Sequence, residues 1–231
     1  MTPTSDVGVV LVAAGTSSRL GGEELKQFRW IAGKPILLHS LQRFQERGDV
    51  AMVVCVLPRQ YAGDPPPWIF QSDIERLLVS VGGRERGESV LRGLEDLPDE
   101  VGVVVVHDAA RPMVAMDVID RVIAEARAGR GAVAALPVTD TLKEADARGR
   151  VVRTVPRDGL WRAQTPQAFP RAMIEQAYAA AQKTGAYTTD CAALCEAQGF
   201  EVVVVKGSEQ AVKVTEEADF ALVEAMTRVP K

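Results

Sequence analysis

The chain has 231 residues, 47% of them hydrophobic, enough for a sizeable buried core in one α/β unit. Its 27 basic and 31 acidic residues leave a net charge of −4, without the basic block that binds nucleic acid polymers, although a small cationic site remains open. Three scattered cysteines and two histidines offer neither a disulfide framework nor zinc spacing, and no apolar run approaches the roughly 20 residues of a membrane span. The start, MTPTSDVG, lacks the basic and apolar regions of a secretion signal. A soluble, cytoplasmic protein is the expectation.

In chain order, apolar runs at VGVVLVA (from Val7), AMVVCVL (Ala51), VGVVVV (Val101), AVAALPV (Ala132) and FEVVVVK (Phe200) predict strands. Their continuous apolarity suits a sheet covered on both faces. Helical patterns lie among them: PILLHSLQRFQER, GESVLRGLEDL, AMDVIDRVIAEARAG, PRAMIEQAYAAAQKTG and EEADFALVEAM. Strand alternating with helix predicts parallel crossovers and a doubly wound, mostly parallel Rossmann-like sheet spanning residues 1–231 as one domain. Two segments break the rhythm. Residues 137–157 read as two extended pieces joined by ADARG, a projecting β-arm. YAGDPPPWIF, from Tyr61, carries three consecutive prolines and reads as a surface loop.

In an open α/β sheet, ligands bind where loops leave the carboxyl ends of the strands. The first strand ends at Ala13, Ala14 and Gly15, small residues that let backbone N–H groups approach a phosphate. Arg19 and Lys26 follow, seven residues apart, with charge suited to a polyphosphate. A tight turn followed by two solvated cations fits them equally. Neither a P-loop nor a G-x-G-x-x-G fingerprint follows this strand, which argues against a dinucleotide-dependent oxidoreductase. In GGRERGESV, Gly82 and Gly83 permit close backbone approach and Ser89 is expected to open a helix, a setting in which backbone could read a nucleobase edge. An ordinary capped glycine turn is the alternative.

VVVVHDAARP sets His107, Asp108 and Arg111 at the end of an apolar strand. Asp108 could accept from a ribose hydroxyl or help hold Mg²⁺, and Arg111 could pair with an anion; an Asp108–Arg111 surface ion pair is the competing reading. His107 reads as a structural hydrogen-bonding residue, His39 as incidental, and Cys191 with Cys195 as an apolar helix face.

AAGTSSRL, KQF, GGRERGESV, VHDAARP, DTLK, RDGLWRAQTPQAF, TTDCAAL and VKVT together make the chain resemble the 2-C-methyl-D-erythritol 4-phosphate cytidylyltransferase family over nearly its whole length. The resemblance implies CMP transfer from CTP to that phosphate, with pyrophosphate released and Mg²⁺ bound mainly through the CTP phosphates. It implies that Arg19 and Lys26 stabilise the transition state, that Ala13, Ala14 and Gly15 form the nucleotide loop, and that Gly82, Gly83 and Ser89 form the cytosine pocket. Asp108 would lie near ribose and acceptor, and Lys213 would position the acceptor phosphate, with Arg157 adding charge. Arg111, Thr141, Arg157 and Thr165 match acceptor-site residues that the family draws from a partner subunit, which implies a homodimer with exchanged arms. Ser17, Leu25 and Ala211 depart from the family pattern, the last where asparagine is usual. A cytidylyltransferase for another sugar-alcohol phosphate, such as ribitol 5-phosphate, and a catalytically impaired CTP-binding protein remain alternatives.

Overall fold

All five apolar runs become strands of one sheet: β1 (Val7–Val12), β4 (Val50–Leu57), β6 (Val103–Asp108), β7 (Gly131–Pro137) and β11 (Val202–Lys206), with β2 (Trp30–Ile31) and β3 (Lys34–Pro35) forming a small separate hairpin. The remaining strands are β5 (Leu77–Val81), β8 (Leu142–Ala145), β9 (Val151–Val155) and β10 (Trp161–Pro170). The helices are α1 (Ile36–Gln45), α2 (Arg59–Ala62), α3 (Arg86–Glu95), α4 (Met116–Arg127), α5 (Arg171–Thr184), α6 (Cys191–Ala197) and α7 (Glu217–Thr227). This computed structural model describes residues 5–15, 25–185 and 187–228.

Among the described residues, seven strands form the sheet in the order β11-β7-β10-β6-β1-β4-β5. β6, β1, β4 and β5 run parallel, as do β11 and β7, while β10 lies antiparallel between β6 and β7. From β1 the chain winds outward through β4 and β5, then returns to β6 on the other side. The β1/β6 boundary is therefore the switch point, and there Val12 pairs with Asp108, so both strands end level.

The apolar runs are continuous because both faces are covered. Val9 and Leu11 of β1 join a cluster with Leu37, Leu41 and Ile119, on the side of α1 and α4. Val10 joins Val54, Val90 and Ile174, on the side of α3 and α5. Each such full burial contributes about 2 kcal/mol relative to exposure. Cys55, Cys191 and Cys195 are all buried thiols.

Residues 137–157 contain the expected arm, an antiparallel β8/β9 pair that stands apart from the main sheet. Asp146 closes its turn, accepting from the backbone N–H groups of Arg148 and Arg150. The proline-rich segment is more than a surface loop. Ile69 is fully buried, and Tyr61 and Trp68 meet Phe28 edge-on at 4.8 and 5.4 Å. The prolines preclude a long helix but leave room for the one-turn α2 and a short 3₁₀ turn, Pro67–Gln71, that cap the KQF segment.

Candidate active site at the switch point

Three strand-end loops and a segment just before α7 converge on a cavity of about 470 Å³ whose lining includes Ala13, Ala14, Gly15, Lys26, Gly83, Arg86, Ser89, Asp108 and Lys213. The start of the loop after β1, Ala13–Gly15, is held at both ends. Ala13 N–H donates to Val56 (2.9 Å), and the buried Gln27 amide donates to the carbonyls of Ala13 (2.6 Å) and Gly15 (3.0 Å). Anchoring these carbonyls fixes Ala13–Gly15, the stretch that would meet a phosphate. Arg19 and Ser17 lie outside the described residues.

The loop after β5 requires glycine for a steric reason. A Cβ on Gly82 would stand 2.2 Å from the Cβ of Ala14, and one on Gly83 would stand 2.2 Å from the Cβ of Glu88. Ser89 does not open α3; Glu85 is the N-cap and Ser89 sits within the first turn, because the helix begins three residues earlier, at Arg86. Its hydroxyl donates to the Glu85 carbonyl (3.0 Å) and accepts from Gly83 N–H (3.1 Å). Ser89 thus shapes the loop, leaving backbone and cavity wall to meet a ligand.

Asp108 ends β6 with its side chain 10% exposed, held by Arg86 Nε (3.1 Å) and Lys213 Nζ (2.7 Å). Burial alone would raise its pKa, but the charges of Arg86 and Lys213 outweigh that effect and hold the carboxyl well below the usual range. The surface pair between Asp108 and Arg111 does not form. Arg111 donates instead to the Ala211 carbonyl (2.6 Å), and Val214 N–H donates to Ala110 (2.8 Å). These bonds clip the segment carrying Lys213 to the end of β6, and at Ala211 the backbone carbonyl does the bracing. His107 is fully buried; burial pushes its pKa down to about 4, and its Nε2 lies 3.1 Å from the Arg111 carbonyl. That setting suits a structural role.

Thr165 is buried beneath Asp108 of its own chain, its hydroxyl accepting from Asp108 N–H (3.0 Å). Arg111 and Thr165 thus sit at the end of β6 beside Asp108, outside the cavity lining, whereas Thr141 and Arg157 stand exposed at the arm. Arg157 donates to the Thr139 carbonyl there. The sequence reading missed Arg86 and Gln27 as site residues. Both sit inside quoted motifs, but a lone arginine in a helix and a lone glutamine carry no periodic signal; only the fold brings Arg86 to Asp108, 22 positions away.

This architecture, an open, mostly parallel sheet with a lysine-lined crevice at its switch point, is that of a Rossmann-like nucleotidyltransferase. The model of the 2-C-methyl-D-erythritol 4-phosphate cytidylyltransferase family matches residues 7–229. The chain is 40% identical over 221 residues to the enzyme of that name from Frankia casuarinae, covering 95% of this chain and 80% of the relative. It is 36% identical to the bifunctional enzyme IspD/IspF of Desulfotalea psychrophila, covering 96% of this chain but only 57% of that longer protein. The crystal structure of 2-C-methyl-D-erythritol 4-phosphate cytidylyltransferase from Thermus thermophilus superposes with a TM-score of 0.82 at 34% identity, over 97% of this chain and all of that one. The chain belongs to the 2-C-methyl-D-erythritol 4-phosphate cytidylyltransferase family, enzymes of isoprenoid biosynthesis.

Proposed function

We propose that this chain transfers CMP from CTP to 2-C-methyl-D-erythritol 4-phosphate in the switch-point crevice. The observation that carries the proposal is one cavity lined by Lys26, Lys213 and Arg86 together with Asp108, which Lys213 and Arg86 hold, beside two loops that approach through small residues. A triphosphate carries about four negative charges and a phosphomonoester about two, so their approach is costly without fixed cations. An acceptor phosphate oxygen attacks the α-phosphorus while the bond to the bridging oxygen breaks, and pyrophosphate leaves with the electron pair. The nucleophile is already ionised, so no general base is required; the protein positions the groups and stabilises charge.

The loop after β1 meets the phosphates through the backbone of Ala14 and Gly15, with Ala13 tied to β4 behind them, and the Gly82–Gly83 loop held by Ser89 meets the base. Asp108 lies toward the ribose. Lys26 and Arg19 offset the charge that develops on the leaving group, and Lys213 holds the acceptor phosphate. The residues present fit Mg²⁺: a carboxylate has about four lone-pair sites, and Asp108 uses two. Mg²⁺ typically takes one or two carboxylates together with substrate phosphates, and when bound it would neutralise phosphate charge. Asp108 is the residue that would share it.

The arm supports a homodimer with exchanged arms. Val151 and Val152 are 62% and 61% exposed, and Trp161 at the arm's base is 45% exposed, apolar surface that a second copy would cover. On that reading Thr141 and Arg157 act in the neighbouring crevice. No helix among the described residues is long and apolar enough to cross a membrane, in keeping with a cytoplasmic setting. The test is pyrophosphate release with Mg²⁺, CTP and either methylerythritol phosphate or ribitol phosphate. Release with methylerythritol phosphate alone is expected. Release only with ribitol phosphate, or CTP binding without release from either, overturns the proposal.

A further inference from the structure

The two lysines that face the cavity come from opposite ends of the chain. Lys26 opens a short 3₁₀ turn, Lys26–Phe28, and Arg29 follows at once, its N–H directed to the Lys26 carbonyl (3.3 Å). Lys213 lies just before α7, whose N-terminus carries a capping box between Glu216 and Asp219. Asp219 accepts from Thr215 N–H (2.8 Å), Thr215 Oγ1 (2.5 Å) and Glu216 N–H (3.0 Å), so the chain leaving Lys213 is held to the first turn of α7.

The Arg29 side chain joins the two ends. Its Nη1 and Nη2 donate to the two carboxylate oxygens of Glu217 at 2.6 and 2.9 Å, and its guanidinium lies 4.0 Å from the centre of the Phe220 ring. The bidentate fork fixes orientation as well as distance, and the ring adds a second face of contact. Among the described residues, α7 is otherwise held mainly by one small apolar cluster. Val223 is its one fully buried residue among those described, within a small cluster of Ile31, Ile36 and Val214 that Phe220 covers. Asp219 also feels the charge of Lys26: burial would raise its pKa, but its bonds to Thr215 and Glu216, together with Lys26, keep it below the usual range.

We propose that Arg29 is a positioning residue, a latch from the Lys26 turn to α7 that sets the spacing between Lys26 and Lys213 across the crevice. Arg29 does not line the cavity, so it acts through the two lysine-bearing segments. Releasing it leaves Lys213 clipped at Ala110 and Ala211 on one side only, while the α7 side is held by a small apolar cluster. A displacement of about 1 Å in a group that orients a reacting phosphate can cost up to 10²-fold in rate. A partial loss, about tenfold, is expected here because the clip to β6 survives.

This inference rests on the cytidylyl transfer proposed above, so the wild-type enzyme is assayed first. No pyrophosphate release from CTP, Mg²⁺ and methylerythritol phosphate by the wild type would sink that reading and leave the latch without a reaction. With wild-type turnover established, Arg29→Ala and Arg29→Glu are expected to lower kcat/KM for methylerythritol phosphate about tenfold while KM for CTP stays within about twofold. Melting temperature should move by only a few degrees, because Glu217, the charge left without its partner, is 67% exposed. The reversed pair, Arg29→Glu with Glu217→Arg, is expected to recover most of the loss. Wild-type kcat/KM in both single variants would overturn the latch, as would a reversed pair no better than Arg29→Glu alone.

Discussion

Replacing Gly82 by alanine tests how the two nucleotide loops are coupled. The new Cβ would lie 2.2 Å from the Cβ of Ala14 and 3.1 Å from the Leu57 carbonyl oxygen, whereas ordinary contact begins near 3.4 Å. The loop after β1 must therefore retreat by about 1.2 Å, or the loop after β5 must swing outward by as much. Neither can yield cheaply: Gly82 N–H is tied to Leu57 at 2.7 Å, and Gln27 pins the carbonyls on both sides of Ala14. Overpacking of this kind costs about 1–3 kcal/mol in stability. A shift of about 1 Å at the phosphate loop should lower kcat/KM about 10²-fold. The assay is pyrophosphate release alongside thermal melting. Ala14→Gly in the same chain removes the opposing methyl and should return most of the lost activity, less a small cost from added loop freedom. Normal kcat/KM in Gly82→Ala, or no rescue by Ala14→Gly, would refute the claim that the loops are packed against each other.

Arg86→Met leaves Asp108 buried with Lys213 as its remaining ion-pair partner, and a denaturant titration should show a loss of about 3 kcal/mol. Lys213→Met should reduce kcat about 10²-fold and also lower stability, because Asp108 is 10% exposed and keeps only Arg86, though by less than Arg86→Met since the Lys213 side chain is 40% exposed; a turnover loss no larger than that of Arg86→Met would argue for a purely structural role. Protonation of His107 should make stability depend on acid. An unfolded chain takes up a proton on this residue below about 6.5, and the folded chain refuses it until about 4, so its contribution should lower stability by about 3 kcal/mol as pH drops through that window and then level off, the depressed carboxyl of Asp108 carrying the further loss at lower pH. His39, also lowered chiefly by burial, acts in the same direction. Denaturant midpoints from pH 7 to 4 check this, and His107→Gln should flatten the slope. For the proposed arm exchange, Val151→Asp with Val152→Asp should shift sedimentation toward monomer and reduce turnover, because charge would replace exposed apolar side chains on both faces of β9.

The sequence by itself determined the elements whose signals are local. Valine-rich runs such as Val7–Val12 and Val103–Val106 read as strands buried on both faces, and the small residues up to Gly15 and the charge at Asp108 that follow them marked where a ligand would bind. The arm was legible from its two extended pieces and the turn at Asp146. β5 and β10 were not. β5 is five residues long with one of them buried, and β10 carries polar Gln164, Thr165 and Gln167 in its interior, with a register shift near Pro166. Such strands exist because neighbours pair with them, and pairing across distant sequence leaves no local pattern. The same holds for the site. Which residue satisfies Asp108, which side chain pins the loop after β1, and why Gly82 must lack a side chain were decided only when the tertiary structure brought together groups 105, 14 and 68 positions apart, from Asp108 to Lys213, Gln27 to Ala13 and Gly82 to Ala14. A buried charge or a methyl-sized clearance is set by what surrounds it in space, and a chain read residue by residue records composition along one dimension alone.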